Sequence, residues 1–468
     1  MSRADTSIVD GSGTPIKLNA VNLGGHLMWE GWIVGGGMEA ETPLQRNLAD
    51  LVGQERAVQF RARLRAGFVT LADFQAIRSL GFNAVRVPFN HRVLQNDADG
   101  GFATLDRLIS HAERTGVYVV LDMHGVPGGQ NPGFIADPGP GWSVWYDTAA
   151  QDETVALWRK IATRYANRRI VAAYDLINEP DAPNPEALVG LYSRIIAGIR
   201  TVDPNHMVIV EGNSYAHDFS AFSRLDENIA YSFHQYQWDG TGDPDAKLAQ
   251  WVQTAEDARV PLWNGEYGEA GHADVEAQVN RFANRPELDG QALWTWKKAD
   301  RNRIFGFPMA TSPAPMKFAV SDAWFGVIHF MSTPWIAPRP SAEAAEAGLR
   351  SFMAEVNVSR TTPDPRLASI LEPLRQGPAA VAPDSPPVAP DSPPVAPAAP
   401  PPAKPTTQPA PGAVTAPVLA PTKPARKKVR SPRRSACARA VLRAAAARGK
   451  KAKAKRRKAA RRVCRRRR

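Results

Sequence analysis

Glu179 and Glu266 each close an apolar run, in Asp175-Leu-Ile-Asn-Glu-Pro180 and Trp263-Asn-Gly-Glu-Tyr-Gly268, and neither has an obvious ion-pair partner beside it in sequence. Two carboxyl groups set out in this way suit the cleavage of a glycosidic bond, in which one carboxyl protonates the departing oxygen while an ionised partner works at the anomeric carbon. A single glutamate after an apolar run is more often a helix cap or a salt-bridge partner, so the pattern lies in the pair and its surroundings. Hydrogen-bonding residues close similar runs elsewhere, at Arg86, His124, Asn178, Glu211, His234, Tyr236 and Trp294. Glu211 is read first as support, paired with an arginine or bonded to loop amides, and only second as a substrate contact. His124 has no second histidine or acid at ligand spacing, so the reading includes neither a metal nor a cofactor.

The elements that must position these residues are short β-rich runs. They begin at Ile16–Leu23, Ala84–Phe89, Val117–His124 and Val171–Glu179, and continue at Met207–Gly212, Ile229–Tyr236, Pro261–Gly268 and Gln291–Lys297. Helical periodicity fills the intervals at Leu71–Leu80, Leu105–Arg114, Glu153–Ala166, Glu186–Val202, Ala246–Ala258 and Val275–Asn284, with Ser341–Val356 as a last helix. Eight strands alternating with helices predict an α/β fold of the (β/α)8 TIM-barrel class, in which strand C-termini converge on one face and bring distant residues into one cleft. On that model Glu179 ends strand four and Glu266 ends strand seven, across the barrel mouth. Trp263 and Trp296, beside site residues on alternating strands, are expected to point into the packing rather than to form sugar platforms.

Taken in order, Leu80-Gly-Phe-Asn-Ala-Val-Arg-Val-Pro88, Leu121-Asp-Met-His124, Ile177-Asn-Glu-Pro180, His234-Gln-Tyr236, Asn264-Gly-Glu-Tyr-Gly268 and Leu293-Trp-Thr-Trp-Lys297 resemble glycoside hydrolase family 5 over residues 15–357. The resemblance implies a retaining β-glycosidase with Glu179 as acid/base and Glu266 as nucleophile. It further implies that Arg86 and Tyr236 hydrogen-bond Glu266, that Asn178 holds the sugar 2-hydroxyl, that His124 and His234 bind sugar hydroxyls or tune Glu179, and that Trp294 is the aromatic floor under the sugar. Asn22-Leu-Gly-Gly-His-Leu-Met-Trp-Glu30, His124-Gly-Val-Pro-Gly-Gly-Gln-Asn131 and the Phe68–Val87 segment resemble the exo-1,3-β-glucanase branch, where the residue matching Glu30 grips the non-reducing-end sugar. The chain departs from that branch at His26, where Trp is usual, and in a long insert from Lys298 to Pro340. The implied partner is a β-glucan or related β-glycoside, and the implied state is a monomer. Endo-β-1,4-glucanase (cellulase) or mannanase action stays open as the alternative, and outside the enzymes so does a carbohydrate- or polyanion-binding protein.

Composition divides the chain of 468 residues into unlike parts. Residues 376–468 hold 24 Lys/Arg against Asp384 and Asp391, whereas residues 1–375 hold 34 basic and 44 acidic side chains. The formal charge of +12 therefore conceals a mildly acidic body and a strongly basic tail. Between Pro378 and Ala425 lie 17 prolines, with Val381–Pro387 repeated identically as Val388–Pro394. This predicts three parts: a catalytic barrel over 1–375, a disordered Pro/Ala-rich linker over 376–425 and a basic tail over 426–468. Alanine rather than aromatic interleaving in the tail limits it to nonspecific polyanion contact. The two cysteines, Cys437 and Cys464, both fall in the tail, so the body has no disulfide and no thiolate metal site. Met1–Gly13 lack the apolar core of about 7–15 residues that a secretory signal needs, and no apolar run is long enough to span a membrane. A polysaccharide hydrolase nevertheless suggests an extracellular or cell-wall location.

Overall fold

A computed structural model describes residues 1–95, 100–139, 143–236, 242–283, 285–301 and 312–374. The linker and basic tail expected from residue 376 onward lie outside the described residues. Eight parallel strands close into a barrel: β1 (Leu18–Asn22), β2 (Ala84–Asn90), β3 (Tyr118–Gly125), β4 (Val171–Asp175), β5 (Met207–Glu211), β6 (Ile229–His234), β7 (Leu262–Gly268) and β8 (Leu288–Trp294). The ring closes where Gly290 of β8 pairs with Leu18 of β1. A Cβ on Gly290 would lie 2.3 Å from the Leu18 carbonyl oxygen, so the seam requires glycine.

Parallel strands buried on both faces read as continuous apolar runs, and these do. Outward-facing Val85, Val87, Leu121 and Val208 join the larger core beneath the helices, while Leu18, Ala20, Ala84, Val120, Ala173, Ile209, Ala230 and Ala292 form a second cluster inside the barrel. Small side chains dominate that interior because the space is narrow, and the Trp263 indole, fully buried and donating to the Leu18 carbonyl at 3.0 Å, fills what the alanines leave. Trp296 is buried likewise and donates to Asp73 Oδ1 at 2.9 Å, so both tryptophans are packing residues. Ile8, from a hairpin pairing Ser2–Ala4 with Ser7–Val9, and Ile16 complete the interior cluster at its N-terminal end. One step of two residues up each inward stripe changes its character: Ala20 leads to Asn22, Ala84 to Arg86, Val120 to Asp122, Ala173 to Asp175 and Ile209 to Glu211.

The expected helices occur, at Leu71–Ser79, Gly101–Thr115, Thr148–Tyr165, Pro185–Arg200, Pro244–Ala258, His272–Ala283 and Ala342–Glu355. Side-chain caps start several of them, with Asp147 accepting from Ala149 N and Asn184 from Ala187 N ahead of Pro185. Between β5 and β6 the chain instead makes a left-handed turn at Ser214, Tyr215 and Ala216. Strands four and six end earlier than the apolar runs suggest, leaving Asn178, Glu179 and Tyr236 on the turns that follow them. Strand eight lies three residues earlier than expected, beginning with Leu288-Asp-Gly rather than at Gln291. Two further helices, Glu41–Val52 and Gln54–Gly67, follow β1, and the insert after β8 contains the helix Asp322–Ser332 and a strand Met316–Phe318 that pairs with Lys297–Ala299. No helix among the described residues is long and apolar enough to cross a membrane.

Asp289 supplies a pH-dependent element at the floor. It accepts from Ile8 N at 2.7 Å, and burial pushes its carboxyl up from an ordinary 3.8 to about 7. The folded chain thus keeps a proton that the unfolded chain releases, and stability falls as pH climbs through that window. Asp289→Asn retains the acceptor oxygen and abolishes the titration. We expect the variant to be more stable than the parent at pH 8, with the difference vanishing near pH 4, as read by denaturant unfolding; parallel stability curves for the two proteins would refute this.

Candidate active site

Arg86 organises the C-terminal end of the barrel. Its guanidinium, fully buried, reaches Asp175 Oδ2 at 2.8 Å through Nε, and Glu266 Oε1 at 2.7 Å and Asn22 Oδ1 at 3.2 Å through Nη1. Through Nη2 it reaches Asn178 Oδ1 at 2.9 Å, Glu211 Oε1 at 2.9 Å and Asp122 Oδ2 at 3.1 Å. The planar fork suits this convergence, since its fixed donors point in several directions at once. Burial raises the carboxyls of Asp122 and Asp175 above the ordinary carboxylate range, against the pull of Arg86. Glu211 is held below that range because His234 and Arg86 outweigh its burial.

Glu266 receives two donors, Arg86 at one oxygen and the Tyr236 hydroxyl at the other, 2.7 Å from Oε2. Gly265 beside it is required by space, because a Cβ there would meet Ser232 Oγ at 2.5 Å and His234 Nε2 at 2.8 Å. Glu179 is held differently. It adopts a left-handed φ of 43°, its amide donates to Glu211 Oε2 at 2.7 Å, and its carbonyl accepts from Asn131 Nδ2 at 2.8 Å. The loop carrying Asn131 is itself latched, since Gln130 Nε2 donates to the carbonyls of His124 and Asn178. Among the described residues the Glu179 carboxylate has one close side-chain partner, His234 Nδ1 at 2.9 Å. His234 is fully enclosed, which alone would favour its neutral form, yet Glu211, Glu266 and Glu179 around it hold it protonated well above the ordinary histidine range. His124 goes the other way: burial lowers it to about 4, its Nδ1 donates to Asp122 Oδ2 at 2.7 Å, and its ring stacks on Trp294 at 5.2 Å.

Oxygen atoms of Glu179 and Glu266 and a ring nitrogen of His234 all lie within 4.8 Å of one another. A cavity of about 620 Å³ opens over this group. Seven of the nine residues singled out in the sequence line it, namely Glu30, His124, Glu179, His234, Tyr236, Glu266 and Trp294. Arg86 and Asn178 are fully buried behind them and meet the site through Glu266 and His124. Glu211 is a buried support, bonding Arg86 and the Glu179 amide.

Sequence reasoning missed the loop residues of the walls. Phe134, Ile135, Tyr215 and His217 line the cavity from the loops after β3 and β5. Trp32, Glu269 and Ser312 line it from the loops after β1, β7 and β8. Trp32 lies two residues beyond Glu30 and could have been found from that spacing; the others carry no signal in a single sequence.

Three comparisons bear on this arrangement. A family model described as Cellulase (glycosyl hydrolase family 5) matches residues 62–300. A β-xylosidase from Phanerodontia chrysosporium is 35% identical over 287 residues, covering 56% of this chain and 60% of the relative. A probable glucan 1,3-beta-glucosidase A from Aspergillus fumigatus is 30% identical over 250 residues, covering 51% of this chain and 58% of the relative. The chain therefore spans about three-fifths of the curated relatives it matches. Among solved structures, a rutinosidase from Aspergillus niger aligns with a TM-score of 0.52 at 18% identity, over 66% of this chain and 95% of that one, a likeness of fold.

Proposed function

Because the chain belongs to the cellulase family, glycosyl hydrolase family 5, we propose that it is a retaining β-glycosidase acting on β-glucosidic bonds, removing sugar from the chain end of a β-1,3-linked glucan or related β-glucoside. The observation that carries the reading is the separation of the two carboxylates, whose oxygens come within 4.8 Å. Retention places the carboxyl groups about 5–5.5 Å apart, whereas inversion needs about 6.5–9.5 Å to admit a water between carboxylate and sugar.

In the first step Glu266 attacks the anomeric carbon, the glycosidic C–O bond breaks, and Glu179 gives its proton to the departing oxygen. Glu266 is then esterified to the sugar and Glu179 is ionised. In the second step Glu179 takes a proton from water, the water oxygen bonds to the anomeric carbon, and the ester bond to Glu266 breaks, restoring both groups. Arg86 and Tyr236 serve the first step by fixing Glu266 in one orientation with both oxygens bonded. His234 reaches Glu179 directly and lies 3.7 Å from Glu266, so its positive charge stands beside whichever of the two is ionised at each stage. Trp294, stacked on His124, offers an indole face to the sugar, and Asn178, bonded to Arg86 and His124 behind the cleft lining, is the residue assigned to the 2-hydroxyl.

The names of the two relatives, a β-xylosidase and a probable glucan 1,3-beta-glucosidase, support exo action on a β-linked sugar. Product analysis on laminarin-type β-1,3-glucan, followed by NMR of the newly released anomer, tests the reading. We expect glucose as the only early product and the β-anomer first. An α-anomer appearing first would overturn retention, a ladder of oligosaccharides would overturn exo action, and cleavage confined to soluble β-1,4-glucan or mannan would overturn the linkage.

A further inference from the structure

Glu179 holds a backbone conformation that its own sequence resists. Its φ of 43° lies in the left-handed region that residues with a Cβ rarely adopt, and Pro180 follows it, which pushes the preceding residue toward extended backbone. Relaxation toward a φ of about −120° would turn the Glu179 Cβ through well over a right angle about the N–Cα bond. The carboxyl would then leave His234 Nδ1, its partner at 2.9 Å. Two side chains oppose that relaxation: Glu211 Oε2 accepts from the Glu179 amide at 2.7 Å, and Asn131 Nδ2 donates to the Glu179 carbonyl at 2.8 Å. Glu211 is shared with Arg86 and His234, whereas Asn131 has supports of its own.

Asn131 is fully buried, and its Oδ1 accepts from Gly133 N at 2.8 Å. That bond fixes which way the amide faces: an oxygen must meet the Gly133 N–H, so the NH2 group meets the Glu179 carbonyl. A Cβ on Gly133 would stand 2.9 Å from Asn131 Oδ1, so glycine keeps this approach open. Gln130, equally buried, anchors the same stretch. Its carbonyl accepts from Trp145 Nε1 at 2.9 Å and from Asp181 N at 3.1 Å, and its Nε2 donates to the carbonyls of His124 and Asn178 at 2.7 and 2.8 Å. Beyond Gly133 the chain turns through Phe134–Ala136, and Phe134 and Ile135 line the cavity. One buried amide thus joins the turn of the cleft wall to the main chain of the acid.

We infer that Asn131 is a positioning residue for proton transfer, holding the Glu179 backbone in the left-handed conformation from which its carboxyl reaches the departing oxygen, without itself touching the substrate. The inference rests on the glycosidase reading above. Glu266 takes its orientation from Arg86 and Tyr236, on other elements. Loss of the Asn131 amide should therefore damage proton donation and leave attack by Glu266 in place.

Aryl β-glucosides with graded leaving groups separate the two effects, because 2,4-dinitrophenol departs unaided whereas phenol needs the proton of Glu179. The full chain is compared with Asn131→Leu, which keeps the size of the side chain and removes both hydrogen bonds, and with Asn131→Asp, which keeps the acceptor for Gly133 N and, when ionised, loses the donor. Glu179→Gln marks the limit of a lost acid. General acid assistance is worth about 10²–10⁴-fold and a displaced acid keeps part of it, so Asn131→Leu should lose roughly 10- to 100-fold in kcat/KM on phenyl β-glucoside and less than about threefold on 2,4-dinitrophenyl β-glucoside. Asn131→Asp should show the same pattern, with thermal unfolding as a check that each variant is folded. Equal losses on both substrates, or none on phenyl β-glucoside, would reduce Asn131 to a packing residue of its loop and overturn the inference. If Glu179→Gln shows no dependence on the leaving group, or the parent cleaves neither glucoside, the glycosidase reading falls first and takes this inference with it.

Discussion

Replacing Glu266 by Ala should reduce kcat/KM on any cleaved β-glucoside by at least about 10⁴-fold while leaving the protein folded. The loss is large because no neighbouring group can take over the covalent step. Tyr236 and Arg86 are donors, His234 is protonated, and Glu179 is occupied with the leaving oxygen. The fold should survive because Arg86 keeps Asp122, Asp175 and Glu211 as counter-charges when Glu266 is removed. Initial rates together with thermal unfolding separate the two effects. A variant that retains more than about 1% of parental activity would remove Glu266 from the role of nucleophile, and a variant that binds glycan like the parent in a system where the parent shows no turnover would favour a binding protein.

The second large effect is on stability. Arg86→Met should lower the free energy of unfolding by about 3–5 kcal/mol at pH 8, the range for removing one partner from a buried ion pair. Four carboxylates within 3.1 Å of the guanidinium would then face one another without their cation. Lowering the pH should narrow the deficit, because Asp122 and Asp175 already titrate above the ordinary carboxylate range through burial and take up protons early on the way down. Arg86→Lys should fall between the two proteins, keeping the charge but not the fork. Denaturant unfolding at pH 8 and pH 5 checks the sign; a deficit that grows toward pH 5 would contradict the account.

The parts of the site legible in sequence were those that the strands carry, Asn178, Glu179 and Tyr236 on the turns just beyond them, and Glu30 through the family resemblance. Alternation fixes direction, so Arg86, His124, His234 and Glu266 could be placed at the mouth once their runs were recognised as strands. Glu211 was rightly suspected of supporting others, since a buried carboxylate at a strand end needs a donor. Strand eight was misplaced because it opens with Asp289 and Gly290, one a buried acid bonded to a distant amide and the other a seam residue, and neither resembles strand in sequence. Gln54–Gly67 was missed because Arg56, Arg61, Arg63 and Arg65 blur any apolar face. Glu269 was invisible for a further reason: it reaches the cleft wall through a left-handed backbone at φ 79°, which is not encoded at short range.

The reach of Arg86 has a bearing on how the chain assembles. Its partners come from β1, β3, β4, β5 and β7, and Glu266 lies 180 positions further along the chain. Until β7 docks, the guanidinium lacks Glu266, the fourth of its counter-charges. Glu179 and Glu266 therefore meet only once β7 has joined the other strands. Recovery of activity during refolding should therefore coincide with closure of the whole barrel, which makes turnover a reporter of the final assembly step rather than of any half-built intermediate.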